Sequence, residues 1–377
     1  MPTAIDMIGT TLGSGTKTYN LNFCKYLKKQ NLKEQIFIFI TEDYLSEIGI
    51  QDNAGITYII KSKKYTNIFF RILWMQFHLP FELKKLKVKQ LYSPMNMGPL
   101  FLKLFNIKFI LALHSNLPWV YFSKMPGNII RNSLTKFIME LSIRMCDTLI
   151  VDSEFAKKEI SDLLKIEKKK IFVIYLGIDS KFLNNLKSDH YIENFKYENY
   201  IISVLSCLKY HNILNLLKGF KLLKKDKKIK IKFVLVLQIL DKEYFLQINK
   251  YIKENFQNNE VIIFSNLKSK FLINLYKNSI FYIFSSYCEV FGLTSLEAMS
   301  QGCPVLISNK SALPEINLDA AEYFDPDDEA NIKNTMERVL LNTNHRENLI
   351  LKGKNHYIKF DWSKTVEQTM KVLNIIN

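Results

Sequence analysis

Glu289 and Glu297 are the residues of this 377-residue sequence whose types and spacing most clearly point to chemistry, and seven residues separate them. They fall in a polar loop and a short helix predicted between two apolar runs, at 281–284 and 305–307, with strand composition. Glu289 on the loop and Glu297 in the first helical turn could each accept hydrogen bonds from sugar hydroxyls. Two glutamates at this spacing are weak evidence by themselves, but their placement is compatible with a sugar-binding site at the mouth of a strand–loop–helix unit.

The start of that helix is also suited to an anion. Thr294 and Ser295 are predicted to cap it, and Gly302 followed by Pro304 is predicted to end it. Gly292, just before the helix, has no side chain, so an anion could approach the main chain there. Free backbone N–H groups and the positive end of the helix dipole favour a pyrophosphate at this point.

The run Glu-Val-Phe-Gly-Leu-Thr-Ser-Leu-Glu-Ala-Met, at 289–299, is followed by Gly-Cys-Pro-Val at 302–305 and Leu-Pro-Glu-Ile at 313–316. This pattern resembles the donor-site signature of the retaining nucleotide-sugar glycosyltransferases of the group 1 family, which have the GT-B fold. The resemblance implies that Glu297 binds a ribose and that Glu289 binds a sugar hydroxyl near the reacting carbon. It also implies donor contacts by Phe291, Gly292 and Leu293. The alternative interpretation is a generic amphipathic helix in an α/β sheet.

Two N-terminal features fit the same resemblance. A glycine-containing loop at 9–15 follows the first predicted strand (3–8) and precedes a helix predicted from Thr16 or Thr18 to Lys29. The resemblance places the loop near the donor phosphate and the acceptor; alternatively it is a plain tight turn. His114 ends a predicted strand at 108–113, where the family usually has His-Asp and this chain has His-Ser, and the resemblance implies a contact with the donor sugar. A purely structural histidine is the alternative. The loop residues expected to bind the donor are Gly13, Ser14 and Gly15.

The sequence departs from the family pattern after the predicted strand at 200–205. The family has an Arg, then a Lys five residues later, to neutralise the donor diphosphate, whereas this chain has Ser206 and His211 there. Lys209 lies in the same loop and could substitute, and so could His211 if it were protonated.

Alternation of strands and helices predicts an α/β chain. Further strands are predicted at 36–40, 56–60, 90–93, 230–237 and 261–264, and a basic helix at 215–228. With the resemblance, the expected fold is GT-B, two Rossmann-like doubly wound domains facing a central cleft. Residues 1–185 would form the acceptor domain, 186–358 the nucleotide-sugar donor domain, and 359–377 a helix that crosses back to the first domain.

The formal net charge of +16 suggests an anionic partner, although a lysine-rich composition throughout is an equal explanation. Nucleic acid is not expected, because no nucleic-acid-binding motif is present. No span long enough to cross a membrane and no signal peptide is evident, so we expect a cytoplasmic protein, either free or peripheral on the inner face of the cytoplasmic membrane. Basic residues flank aromatic residues between 61 and 89, which suits an anionic lipid surface; the alternative is a core-facing helix with a solvated basic face. The basic residues are Lys61, Lys63, Lys64, Arg71, Lys84, Lys85, Lys87 and Lys89, and the aromatic ones are Phe69, Phe70, Trp74, Phe77 and Phe81.

The predicted activity is retaining, hexosyltransferase-type transfer from a UDP- or GDP-sugar to a glycan or lipid-linked glycan, in the synthesis of bacterial O-antigen, capsule or lipopolysaccharide. His114 and Glu289 are the expected catalytic residues. No cofactor and no metal are expected, because five scattered cysteines and the acidic residues show no ligand spacing. A non-catalytic GT-B subunit and a GT-B sugar-nucleotide epimerase or phosphorylase are the alternatives.

Overall fold

The computed structural model describes residues 1–9, 14–48, 55–183, 192–193, 195–226, 229–257 and 259–376, and the chain divides into two units. Unit 1 contains Met1–Trp119, Asn128–Gly177 and Asp361–Asn377, and unit 2 contains Val120–Gly127 and Ile178–Phe360. The boundary predicted between 185 and 186 lies outside the described residues. The short stretch Val120–Gly127, which the sequence analysis assigned to the first domain, belongs to unit 2.

Unit 1 is built on a parallel sheet with the strand order β3-β2-β1-β4-β5-β6-β7. The chain adds strands on one side of β1 and then returns to add the rest on the other side, so the order reverses between β1 and β4. Ligands of open α/β sheets bind at such a reversal, beyond the carboxyl ends of the strands. The strands are β1 (Thr3–Asp6), β2 (Ile36–Thr41), β3 (Ile56–Lys61), β4 (Gln90–Ser93), β5 (Lys108–Leu113), β6 (Thr148–Val151) and β7 (Ile171–Val173).

Unit 2 repeats this plan with the strand order β10-β9-β8-β11-β12-β13, again all parallel where paired. Here the reversal falls between β8 and β11. The strand at the start of the glutamate motif is therefore one of the two that flank the reversal. The strands are β8 (Tyr200–Cys207), β9 (Lys232–Ile239), β10 (Val261–Ser265), β11 (Tyr282–Phe284), β12 (Val305–Ser308) and β13 (Glu322–Phe324).

Helices flank both sheets, which is why the central strands are continuous apolar runs with both faces covered. The first of them are α1 (Ser14–Leu27), α2 (Leu45–Ile48), α3 (Ile68–Leu73), α4 (Leu79–Lys85), α5 (Leu117–Val120), α6 (Ile129–Met145) and α7 (Glu154–Leu164). The following ones are α8 (Ser180–Leu183), α9 (Ile213–Leu223), α10 (Lys242–Asn255), α11 (Ser269–Lys277), α12 (Leu293–Ser300), α13 (Leu313–Asn317), α14 (Glu329–Leu341), α15 (Thr343–Tyr357) and α16 (Trp362–Val372).

Helix α16 is part of unit 1. Its Trp362 is fully buried, with its ring centroid 5.4 Å from that of Tyr19 on α1. The Gln90 side chain of β4 donates to the carbonyl of Leu373 at 2.6 Å. Gly177 lies so close to this segment that an added Cβ would collide with the main chain of Trp362. The last helix is thus packed into unit 1 by core, hydrogen-bond and backbone contacts.

Most predicted elements are present with shifted ends. Strand β5 has the predicted bounds, whereas α1 runs from Ser14 to Leu27 instead of from Thr16 or Thr18 to Lys29. The basic helix predicted at 215–228 is α9, which ends earlier, at Leu223. Lysine-rich ends carry little burial to hold them helical, so composition overestimates their length.

The segment at 61–89 differs from the prediction in two residues. Trp74 and Arg71 are only 2% and 4% exposed, so neither belongs to the proposed lipid-facing surface. The Arg71 guanidinium lies 3.7 Å from the buried carboxylate of Asp6 and donates to the carbonyl of Ile8. Within the described ranges, none of the helices combines the length and apolar character that crossing a bilayer needs.

Candidate active site

The loop between β11 and α12 places the glutamate motif at the carboxyl edge of the unit 2 sheet. Gly292 precedes the helix in the left-handed region, with φ of 95°, and an added Cβ would lie 2.7 Å from the side chain of Leu313. Thr294 and Ser295 do not cap the helix as predicted, because α12 begins earlier, at Leu293. Ser295 instead donates its hydroxyl to the Gly292 carbonyl at 2.8 Å. The helix start is therefore bare of side-chain caps.

Glu289 is held on this loop by its main chain. Its N–H donates to the Ser311 hydroxyl at 3.0 Å, and its carbonyl accepts from the Ala312 N–H at 3.2 Å. The side chain is 20% exposed. Burial raises the pKa of Glu289 to about 7, and a hydrogen bond to Ser286 opposes that rise. The carboxyl group is thus close to half protonated near neutral pH.

His211 lies beside this carboxyl group, with Nδ1 3.6 Å from Glu289 Oε1. The ring is buried between Tyr210 and Phe284, at centroid distances of 4.2 and 5.5 Å. Burial lowers the pKa of His211 to about 3, so the ring is neutral near pH 7 in the protein without ligand. Because burial penalises charge on both groups, the contact is not an ion pair. The cationic role considered for His211 would require a bound anion to raise this pKa.

Glu297 lies on α12, but in its second turn and not, as predicted, in its first, because the helix begins at Leu293. Burial raises the pKa of Glu297 to about 7; Lys181 lowers it and Asp179 raises it. Lys181 and Asp179 pair with each other at 3.0 Å. Glu297 therefore has a positive and a negative neighbour within unit 2, and the desolvation of its carboxyl group outweighs both.

The remaining predicted donor residues of unit 2 differ in accessibility. Lys209 is exposed on the turn after β8, and Ser206 donates to the side chain of Gln238 at 3.4 Å. Leu293 is half-buried at the start of α12. Phe291 is 2% exposed with its ring against Phe360, at 5.7 Å, so its side chain cannot meet a ligand and only its main chain could.

Those predicted residues of unit 1 that the structure describes lie towards the carboxyl edge of its own sheet. His114 follows β5, and its Nδ1 lies 2.9 and 3.0 Å from the two carboxylate oxygens of Asp152. Gly15 is exposed, and an added Cβ would meet nothing within 4 Å. Gly13 lies outside the described residues, and Ser14 is the first residue of α1. Asn116, two residues after His114, donates a hydrogen bond to the carboxylate of Glu159. Burial raises the pKa of Glu159 to about 7.

Comparison with protein families assigns both halves of the chain. Residues 187–356 match the model described as "Glycosyl transferases group 1", and residues 13–182 match the model described as "Glycosyltransferase Family 4". This chain belongs to the group 1 glycosyltransferases. The family predicted from the motif at 289–316 is confirmed, and so is the α/β fold with two parallel sheets.

The relatives of this glycosyltransferase include the O-antigen chain mannosyltransferase of Salmonella typhimurium, 21% identical over 67% of this chain and 65% of that protein. The alignment thus spans less than two thirds of that relative's own length. A glycosyltransferase of Methanocaldococcus jannaschii is 26% identical over 95% of this chain and 94% of that protein. Among solved structures, sucrose-phosphate synthase from Thermosynechococcus elongatus superposes with a TM-score of 0.78 at 16% identity, covering 99% of this chain and 98% of that one. This likeness shows the GT-B fold.

Sequence reasoning missed several residues of this glycosyltransferase's two sheet edges. Lys310 and Ser311 follow β12, next to β11, and Lys310 lies 3.4 Å from Asp325. A polar run directly after a buried strand was the signal that could have indicated them. Asp152 also directly follows a buried strand, but its contact with His114 depends on the pairing of β5 with β6, which a local pattern does not contain. Among the described residues, no group of three or more potential ligands is arranged to hold a metal ion.

Proposed function

We propose that this glycosyltransferase moves a sugar from a nucleotide-diphosphate sugar to an acceptor hydroxyl, with retention of the anomeric configuration, in the synthesis of a bacterial surface polysaccharide. The observation that carries the proposal is the placement of Glu289, Gly292 and Glu297 at the strand-order reversal of unit 2. The names of the O-antigen relatives favour mannose as the sugar transferred.

The chemistry follows from the groups at this edge. The start of α12 offers main-chain N–H groups and a positive dipole end to the donor diphosphate, on which negative charge develops as the sugar leaves. Gly292 leaves room for that approach. Lys209 supplies a cation in place of the family's Arg and Lys, so we propose that transfer needs no metal. Glu297 binds the ribose, and Glu289 binds a hydroxyl of the transferred sugar without acting as a covalent nucleophile.

The pKa values of the two glutamates bear on how they bind. A carboxyl group whose pKa is near 7 can donate a hydrogen bond when protonated and accept one when ionised. Sugar hydroxyls both donate and accept, so either state finds a partner. Hydroxyl groups of the bound donor would therefore supply the hydrogen bonds that these carboxyl groups lost when burial removed them from water.

A panel of nucleotide sugars that includes GDP-mannose and several UDP-sugars tests the proposal. We expect one donor to raise the melting temperature of the wild-type protein and to do so much less with Glu297→Ala. With that donor and an acceptor glycan, NMR of the product should show the anomeric configuration of the donor. An inverted product would contradict retention, and donor consumption without an acceptor would indicate an epimerase or a phosphorylase. Absence of binding to every donor would favour a non-catalytic subunit.

We also propose that unit 1 binds peripherally to an anionic membrane on the cytoplasmic side. Phe69, Leu73, Phe77 and Phe81 recur every fourth residue from α3 through the π-helical turn Trp74–His78 to α4, and they are 59%, 39%, 63% and 58% exposed. Between positions 61 and 108 the sequence contains one acidic residue, Glu82, which is paired with Lys61 at 2.7 Å. An apolar stripe in a stretch where lysines greatly outnumber acidic residues matches the interface of an anionic bilayer.

Sedimentation with lipid vesicles tests this surface. We expect binding to vesicles with anionic headgroups to exceed binding to neutral ones, and to weaken as salt is added, because the lysine contribution is screened. Reversing the charge of four stripe-flanking lysines should abolish the preference, whereas reversing four exposed lysines of unit 2 should not. Binding that is equal for anionic and neutral vesicles and insensitive to salt would mean that the segment at 61–89 is only a solvated basic face. The first set is Lys63, Lys64, Lys84 and Lys85, and the control set is Lys242, Lys250, Lys253 and Lys270.

A further inference from the structure

The pair formed by His114 and Asp152 is set by the backbone of unit 1. Strands β5 and β6 are parallel neighbours, with Leu113 opposite Val151 at their carboxyl ends. His114 and Asp152 are the next residue of each strand, so the register alone brings them side by side. The sheet therefore fixes this contact independently of the surrounding loops.

The hydrogen bonds of the pair define the state of the imidazole ring. Asp152 is 1% exposed and its two oxygens lie 2.9 and 3.0 Å from Nδ1 of His114. An ionised carboxylate only accepts hydrogen bonds, so Nδ1 carries the proton. The other nitrogen, Nε2, is buried and has no hydrogen-bond partner among the residues that the structure describes. The His114 side chain as a whole is 7% exposed.

Other contacts hold the ring in place. Tyr19 packs against it with a centroid distance of 4.2 Å, and the Tyr19 hydroxyl lies 2.6 Å from that of Tyr92. The His114 N–H donates to the side chain of Asn96 at 2.6 Å. These contacts immobilise the imidazole, so Nε2 keeps one direction. A buried acceptor without a partner is unfavourable unless a ligand supplies a donor.

We propose that Asp152 is a positioning residue which keeps His114 in its Nδ1-protonated tautomer, so that Nε2 accepts a hydrogen bond from a hydroxyl group of the bound sugar. This inference rests on the proposed function, because it takes the ligand to be a sugar. It defines the polarity of the contact: the ligand must donate here. A sugar whose hydroxyl is replaced by hydrogen or fluorine at the contacted position is selected against.

The tautomer can be measured without any ligand. Two-dimensional NMR on protein with ¹⁵N-labelled histidine distinguishes a protonated from a bare ring nitrogen. We expect His114 to show a protonated Nδ1 and a bare Nε2. His356 provides the opposite reference, since its Nε2 lies 2.7 Å from the carbonyl of Ile316 and must carry the proton there. A protonated Nε2 on His114 in the wild-type protein would overturn the inference.

Asp152→Asn tests the role of the carboxylate, and Asp162→Asn, exposed on α7, is the matched control. The asparagine amide can donate to Nδ1, which moves the ring proton to Nε2. We expect that shift in the NMR spectrum and a roughly 10- to 100-fold loss of donor affinity, as for one mispaired buried group. An unchanged tautomer with unchanged affinity would refute the positioning role.

Deoxy-sugar donors locate the contact. For the analogue that lacks the contacted hydroxyl, wild type and Asp152→Asn should bind equally, whereas for the intact donor they should differ. A difference that persists with every deoxy analogue would mean that Asp152 acts only on the fold, contrary to the proposal. If the wild-type protein binds no nucleotide sugar, the proposed function fails, and the tautomer measurement still decides whether Asp152 sets the state of His114.

Discussion

Replacing Glu289 by glutamine should stabilise the protein without ligand, and this effect should depend on pH. Burial raises the pKa of this carboxyl group from an ordinary 4.5 to about 7. Between these two values the folded state keeps the proton that the unfolded state has released. Wild-type stability therefore falls as pH rises from the unfolded pKa to the folded pKa, and the loss is complete above it. A neutral glutamine has no such loss.

The size of the effect follows from the two pKa values. Each unit of pKa difference corresponds to about 1.4 kcal/mol, so the ionised carboxylate costs up to about 3 kcal/mol above pH 7. For a folding unit the size of unit 2, this free energy corresponds to a difference in melting temperature of roughly 6 to 12 °C at most. His211 makes stability depend on pH in the opposite direction, because burial lowers its pKa to about 3. Its contribution to stability is therefore lost as pH falls towards that value. Wild-type stability alone therefore changes little where the two ranges overlap.

Differential scanning calorimetry of wild type and Glu289→Gln, from about pH 4 to 9, isolates the carboxyl contribution as a difference. The gain in stability of Glu289→Gln over wild type should be absent near pH 4, grow between the two pKa values and then level off. Glu347→Gln, exposed on α15, is the control and should show a pH-independent difference near zero. A destabilised Glu289→Gln at pH 8, or an advantage that does not change with pH, would refute the reasoning.

Three further outcomes are expected of the donor site. Glu297→Ala should weaken donor binding by roughly 1.5 to 3 kcal/mol, the range of a hydrogen bond to a charged group, and an unchanged Kd by calorimetry would remove the ribose assignment. Lys209→Ala should lower donor affinity at every pH from about 5.5 to 8.5, since lysine stays charged throughout; a pH-dependent fall that His211→Lys abolishes would instead assign the cation to His211. Transfer should persist in excess EDTA, and loss of activity restored by magnesium would contradict a metal-free mechanism.

Elements buried on both faces were the most predictable from sequence. Strand β5 has the predicted bounds because an uninterrupted apolar run has no other place to pack than the middle of a sheet. Helix caps are a second local signal: Ser153, directly before α7, accepts from the Ala156 N–H at 3.1 Å. Both signals are local, since the residues that decide the structure are neighbours in the chain.

The details of the site depend on contacts between distant residues, which local patterns do not contain. Phe291 is buried because Phe360 packs on it from far along the chain. The start of α12 is set by Gly292, which has a left-handed main-chain conformation directly before the helix. The helix therefore begins at Leu293, ahead of Thr294 and Ser295, whose hydroxyl groups favoured them as caps. Likewise, the neutral state of His211 follows from its burial between Tyr210 and Phe284 and not from its type.

The packing of α16 determines the order in which the chain can complete its folding on the ribosome. Unit 1 needs Trp362 against Tyr19, and it needs the Leu373 carbonyl as the acceptor for Gln90, yet the residues of unit 2 are translated before both. Unit 2 can thus fold while the core of unit 1 still lacks its last helix. During synthesis the first unit to begin is the last to finish, and its incomplete core must be kept from aggregating until residues 361–377 emerge.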